Sequence, residues 1–355
     1  MVEFPYVRIT VGNVDITPTP AETLKSFEYT RVTEGKANKL EFTLYDDSAV
    51  ALEAELVRGA SKCTFSYGLT PQSAKSYQAT ILDYSLSFKG LGAELVVSGI
   101  STGVIEGTGE TTKYYDGTPT EVITRVAAEE KWQLGNLEPT HLIQTIDPNT
   151  KQYIPKKYYR NNKRAVDFIK EDVLPFARSL ETNLAGFTFY FKDGNGGSVV
   201  NFHTPSYKAQ SYTANSFIVG DKNSHIMSFT PTYSGAAMIA SGISVSGTDP
   251  AGTGFSVSSG KGYKTISVSA AVKSPVEAKV YSDYLWQCKL REVYNGEMVL
   301  INTPNIPVMN VINVIVLNKS GVAHHSSGLY VVLEVVDTIE NGHLISTLKL
   351  MGVNA

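Results

Sequence analysis

Hydrophobic and polar positions alternate through most of the first hundred residues. Val7, Ile9 and Val11 take every second position, Gly12-Asn13 supplies a two-residue turn, and Val14 and Ile16 resume the alternation. That pattern predicts a β-hairpin. Leu40, Phe42 and Leu44 predict another strand. Asp46-Asp47-Ser48 then offers helix N-caps before a helix over 49–58, where Leu52 and Leu56 lie four apart and Gly59 ends the run. Strands are predicted again over 62–67 and 77–88, with a turn at Gly90 and a returning strand over 94–98.

Between about 101 and 205 the period changes. Thr118-Pro119-Thr120-Glu121 has capping-box spacing with Pro at the first helical position. Val122, Ile123, Val126 and Ala127 follow as a helical stripe, with Gly135 as its expected end. A second helix is predicted from near Asn162, its stripe being Ala165, Phe168, Ile169 and Val173, with Pro175 kinking or restarting it. Phe187, Phe189 and Phe191 then alternate into a Gly-rich turn at 193–197, and Val199 to Phe202 return as the second arm of a hairpin.

The last 150 or so residues return to β. Fourteen of the 22 residues at 241–262 are Gly, Ser or Thr, which predicts a long loop or thin hairpin outside the core. Ser274-Pro275-Val276-Glu277 is a second capping-box spacing, and Val276, Val280, Tyr284 and Cys288 place Cys288 on the buried stripe of the helix that follows. Strands are expected over 298–301, 311–317, 329–336 and 345–351. One internal similarity stands out. A strand from Tyr77 through Asp83 turns at Gly90 and returns to Gly99; a strand from Tyr330 through Asp337 turns at Gly342 and returns to Gly352. A duplicated β block at the two ends of the chain would produce this.

Composition bounds the function. The chain has 355 residues, with 42% hydrophobic and 18% charged, so it is globular and long enough for two or three domains. A net charge of −3 argues against a nucleic-acid binder built on excess basic charge. Two cysteines, Cys63 and Cys288, rule out a disulfide framework and a four-cysteine zinc site. The N-terminus has no secretory signature, and no run approaches the ~18 apolar residues of a membrane span. A soluble product of a reducing cytoplasm is expected.

Candidate chemistry is sparse. Gly260-Lys261-Gly262 lacks the spacing of a phosphate loop, and 193–197 has too few oxygen ligands for calcium. His324 and His325 are adjacent and read as an exposed turn, and Glu129 and Glu130 read as a solvated helix face. No Gly-x-Ser-x-Gly elbow occurs. No catalytic residue, cofactor or metal is therefore assigned. Basic and aromatic residues interleave over 151–164, with Tyr158 and Tyr159 at the centre; a tyrosine-rich interface and a nucleic-acid contact are both open for it. With Leu52, Leu56 and Phe255, the two tyrosines are the candidate interface residues.

Leu40-Glu41-Phe42-Thr43-Leu44-Tyr45-Asp46 before a helix, Gly59 and a new strand resembles the opening of the phage baseplate hub proteins. These include the late control D-type tail proteins and the hub half of type VI secretion spike proteins. The capped helix at 121–131, the segment 162–169 and the hairpin after it resemble the family's insert. Asn302-Thr303-Pro304, Ser327-Gly328-Leu329-Tyr330-Val331-Val332, Val335-Val336-Asp337, Gly342 and Thr347-Leu348-Lys349-Leu350 resemble its closing barrel. One departure is Asn310, which stands in the region of a usual Gly and would keep a left-handed turn there.

The resemblance implies a β-rich α+β chain: two tube-protein-like β-barrels, at 1–100 and 206–355, flanking a mixed α/β insert at 101–205. It implies a non-enzymatic homotrimer in the virion tail baseplate, made in the host cytoplasm. Three chains of two barrels each would adapt a sixfold tail tube to a threefold central spike carried on a separate polypeptide. Expected partners are the tail tube protein or its initiator ring, the spike, baseplate wedge proteins and the tape measure protein. DNA would pass through without specific binding, helped by the mildly negative charge, and no membrane is involved. Two other readings are a tail-associated cell-wall hydrolase and a tail receptor-binding protein.

Overall fold

The computed structural model describes residues 4–19, 23–33, 35–46, 61–89, 92–101, 109–194, 197–205, 211–221, 225–235, 242–261 and 264–353. The predicted helix at 49–58, with Leu52 and Leu56, lies outside the described residues.

Among the described residues a 13-stranded sheet runs through both ends of the chain. The N-terminal part supplies β1 (Tyr6–Val11), β2 (Val14–Asp15), β3 (Leu24–Val32), β4 (Lys39–Asp46), β5 (Lys62–Gly68), β6 (Lys75–Lys89) and β7 (Gly92–Ile100). The C-terminal part supplies β15 (Ser211–Val219), β16 (Ile226–Tyr233), β20 (Tyr294–Ile301), β21 (Val311–Val316), β22 (Gly328–Glu340) and β23 (His343–Gly352). The intervening β8 (Thr111–Tyr115), β9 (Gln133–Leu137), β10 (Gln144–Ile146), β11 (Tyr153–Pro155), β12 (Tyr158–Lys163), β13 (Thr188–Gly194), β14 (Gly197–His203), β17 (Gly242–Thr248), β18 (Gly254–Ser259) and β19 (Thr265–Ser269) form small separate sheets.

Each end curls around its own core. Val7, Ile9 and Val11 of β1 meet Phe27, Tyr29, Leu40, Phe42, Phe65, Tyr67, Leu95 and Val97. At the other end Met298, Leu300, Ile312, Val314, Tyr330, Val335 and Leu348 meet. The inward residues follow the strand period of two, as the alternation predicts.

The two ends repeat one topology. Laterally the first reads β3-β4-β7-β6-β5-β1 and the second β16-β20-β23-β22-β21-β15. With the two-residue β2 left out, both are in chain order the same arrangement of first to sixth strand. Neighbouring pairs are antiparallel throughout, except that β15 runs parallel to β21 where β1 runs antiparallel to β5. Both long hairpins slip register once: between Ile81 and Asp83 in β6, and between Val332 and Glu334 in β22. Aligning the slips relates Asp83 to Glu334 and, through the ladders, Phe27 to Phe229, Phe42 to Met298 and Phe65 to Val314. The tyrosine landmarks of the sequence mislead by two residues, because Tyr330 corresponds to Ala79 and not to Tyr77.

Neither end closes its ladder into a barrel among the described residues. Closing the first would need the free edge of β3, but β3 pairs instead with β22 of the other copy, from Glu334↔Val32 to Glu340↔Ser26. The ladder therefore runs on from one copy into the next.

The insert carries α1 (Pro119–Glu129) and α2 (Ala165–Phe168), the latter continued by a π turn over Ile169–Val173 and a 3₁₀ turn over Leu174–Phe176. The capping box of α1 forms as predicted: Glu121 N donates to Thr118 Oγ1, and Thr118 N donates to Glu121 Oε2. Thr118→Ala is expected to cost about 1 kcal/mol in urea unfolding; an unchanged midpoint would contradict that role for the cap. The end of α1 is not at Gly135, which lies in β9; Lys131 takes the left-handed conformation instead (φ 59°). The second helix starts at Ala165 and not at Asn162, because 158–163 is strand β12 paired with β8. Phe187, Phe189 and Phe191 are buried together as expected. Gly35, in the β3–β4 connection, also has positive φ, and a Cβ there would lie 2.7 Å from Phe189 Cδ1. The first sheet thus abuts the insert with no room for a side chain.

The Gly/Ser-rich stretch is a hairpin, β17 with β18, and β19 adds in parallel on its other edge. Contrary to expectation it has a core, with Ile243 and Val245 buried against Ala278 of α3 (Pro275–Val293). Small residues allow the close approach, so low hydrophobicity did not mean a loose loop. On α3, Val276 is exposed and Cys288 is only partly buried, because the face that packs carries Glu277, Ala278 and Val280. Left-handed geometry near Asn310 falls on Met309, one residue earlier.

Candidate functional site

The junction between the two sheet copies is built on charge. Arg31 of β3 and Asp337 of β22 are both buried, and Arg31 Nη2 donates to Asp337 Oδ2 at 2.5 Å. Tyr67 Oη and Asn305 N also donate to Oδ2, and Ser346 Oγ donates to Oδ1. Tyr77 Oη donates to Asn305 Oδ1 at 2.7 Å, which brings β6 into the network. A carboxylate away from water needs this many donors, and here they come from β3, β5, β23 and the β20–β21 connection. The network fixes how the two copies sit.

A second feature is a groove of about 600 Å³ between the insert and α3, lined by Tyr158, Tyr159, Lys156, Phe176, Val272 and Glu277 among others. Lys156 Nζ donates to the buried Glu277 Oε1 at 2.7 Å and lies 4.0 Å from the centre of the Phe176 ring. Glu277 N donates to Ser274 Oγ, but the capping box is only half formed: Glu277 Oε2 accepts from Lys273 N. The predicted interface residues separate here. Tyr158 and Tyr159 line the one groove, Tyr158 buried and Tyr159 exposed. Phe255 packs partly buried in the β17–β18 core and does not reach the groove. Burial, with the Glu277 charge beside it, holds the Tyr158 phenol well above its ordinary range.

Arg160 corrects the reading of a solvated face at Glu130, while Glu129 is exposed as expected. Arg160 is buried and donates from Nη1 to Glu130 at 2.7 Å, while Glu129 accepts from Lys113 Nζ and Tyr115 Oη. Sequence spacing carried no sign of either pairing, since Arg160 arrives from a different strand.

The buried His203, on the last residue of β14, was also silent in the sequence. Its Nε2 lies 3.1 Å from Tyr190 Oη and its Nδ1 2.7 Å from Thr204 O. Glu138 sits on the same corner, accepting from Thr204 N and Oγ1. Burial dominates and holds the imidazole below its ordinary value, against the pull of the Thr204 carbonyl and Glu138. A lowered folded value means that the unfolded chain binds the proton first. Stability is then full above about pH 6.5 and falls as pH drops through that value toward the folded one. Urea midpoints should fall more steeply from pH 7.5 to 5 in the native chain than in His203→Gln; equal slopes would contradict this.

Among the described residues no three His, Cys, Asp or Glu side chains come together as a metal site, and no helix is long and apolar enough to cross a membrane. His324 and His325 lie in the expected exposed turn, their rings 3.8 Å apart.

No protein-family model matches the sequence, and no curated protein matches it. Solved structures do match in fold. A tail protein from Neisseria meningitidis MC58 is 9% identical with a TM-score of 0.69, over 99% of this chain and 97% of that one. The 43 kDa tail protein of prophage MuSo2 from Shewanella oneidensis is 10% identical with a TM-score of 0.67, over 98% of each. A type VI secretion component of E. coli, described as structurally similar to the bacteriophage T4 tail proteins gp27 and gp5, is 8% identical with a TM-score of 0.57, over 98% of this chain and 77% of that one. The chain has the β-rich fold of these tail proteins.

Proposed function

We propose that this chain is the structural hub of a phage tail baseplate, or of a related contractile injection machine, and that it works as a homotrimer. The observation that carries the reading is the repeated strand order: one polypeptide presents the same sheet twice. Three chains then present six copies around a true threefold axis. Such a ring meets a sixfold tube on one face and a threefold spike on the other. In this reading 1–100 and 206–355 are the tube-like units and 101–205 is the insert that faces outward to wedge proteins. The tube protein or its initiator ring, the spike and the tape measure protein are the axial partners, and DNA passes through the opening in the virion tail.

The fold shared with tail proteins over nearly the full chain supports the reading, as does the likeness to a type VI secretion component. So do the exposed apolar side chains on the outer part of the first long hairpin, Leu82, Tyr84, Phe88 and Val96. The role is architectural and assigns no catalytic residue. Light scattering on the purified protein is the test. A particle of three times the 38.6 kDa of one chain is expected; a monomer at all concentrations would overturn the reading.

A further inference from the structure

The long hairpins are equivalent strand by strand, yet their outer edges are not equally occupied. On the edge away from β23, β22 pairs first with β21, at 328–331, and then with β3, at 334–340. On the edge away from β7, β6 pairs with β5 at 75–80; beyond that, among the described residues, positions 82–89 face no strand. The counterpart of β3 is β16, and among the described residues its edge away from β20 likewise ends the sheet. One chain therefore holds one complete copy-to-copy junction and the two separate halves of another.

From this we infer that neighbouring copies of the chain join by antiparallel pairing of residues 83–89 in β6 of one copy with residues 228–234 in and after β16 of the next, in the register that β22 and β3 use within a chain. The inference rests on the reading of the chain as a ring-forming trimer and names the surface that makes it. Transferring the register sets Phe88 opposite Phe229, Ser87 opposite Thr230 and Leu86 opposite Pro231. Their counterparts inside the chain are Ile339↔Phe27, Thr338↔Glu28 and Asp337↔Tyr29.

The side chains agree with the transfer. Ile339, Phe27, Asp337 and Tyr29 are buried at the internal junction. The apolar counterpart Phe88 is 72% exposed in the single chain, and Leu86 and Phe229 are only partly covered. Apolar residues at positions that a junction would bury, on an edge that no described strand pairs with, call for a covering strand. Pro231 contributes no N–H, so the ladder forms with one donor fewer. The surface joins unlike patches head to tail, and repetition closes a ring of three where each step turns by a third of a circle.

Engineered cysteines test the register. Ser87 and Thr230 are both exposed, so Ser87→Cys with Thr230→Cys adds no folding burden. Directly opposed residues lie ~4.5–5.5 Å apart, within disulfide range, whereas a two-residue slip exceeds it. Cys288→Ser removes the partly exposed native thiol, and burial pushes the Cys63 thiol up to about 12, leaving it unreactive. Under mild oxidation most chains are expected to move to the three-chain position on a non-reducing gel. Ser87→Cys with Thr232→Cys, displaced by two, is expected to stay single. If light scattering shows a trimer and the first pair does not cross-link, or only the displaced pair does, the proposed junction is wrong and the trimer stands. If the protein is a monomer throughout, both fall.

Discussion

Asp337→Ala is expected to lower the unfolding free energy by roughly 3–5 kcal/mol, measured by urea denaturation at neutral pH. The substitution leaves the Arg31 guanidinium buried beside β3 without its counter-charge. It also strands the hydroxyls of Tyr67 and Ser346 and the backbone N–H of Asn305, all of which now donate to that carboxylate. Each stranded buried donor adds to the cost. Because Arg31 and Asp337 hold the two sheet copies together, the loss should fall on the whole main sheet and not on one end. The double change Arg31→Met with Asp337→Leu is expected to recover part of the stability, since an apolar pair of similar volume often replaces a buried ion pair without penalty. A loss below ~1 kcal/mol for Asp337→Ala would mean that the network does not tie the copies.

Phe88→Lys is expected to separate assembly from folding. The side chain is exposed in the single chain, so monomer stability should stay within ~0.5 kcal/mol of the native value. In the proposed ring the same position faces Phe229 of the next copy, where an unpaired ammonium would be taken from water. Hot-spot changes cost about 2 kcal/mol or more, which is ~30-fold in affinity at each of three junctions. Sedimentation should therefore find a folded monomer at concentrations where the native protein is a trimer. A trimer of undiminished affinity would remove Phe88 from the junction.

Much of this architecture is legible in the residues. Alternation locates the strands of the main sheet because they have one face on a core and one toward water, as at Leu40, Phe42 and Leu44, whereas Phe187, Phe189 and Phe191 alternate with Thr188 and Tyr190, which are buried as well. The caps at Thr118 and Ser274 locate α1 and α3 because an N-terminus needs acceptors near it. What failed has a common cause: it depends on contacts between distant segments. Arg31 and Asp337 are 306 positions apart, and nothing local marks either as buried. Glu130 reads as solvent-facing until Arg160 reaches it from β12. The duplication was visible, but its register was not, because Tyr77 and Tyr330 look alike and occupy non-equivalent places. Only the two ladder slips locate the repeat. At the candidate interface, Tyr158 and Tyr159 do share a groove, while Phe255 is taken up by the hairpin core that its Gly/Ser-rich surroundings concealed.

Rotational analysis of the purified particle by electron cryomicroscopy tests the whole proposal most directly. An annular particle with threefold symmetry is expected, its inner wall showing six nearly equal sheet segments that alternate between the two copies of each chain. A twofold dimer, or single chains with the β6 and β16 edges both open, would contradict it.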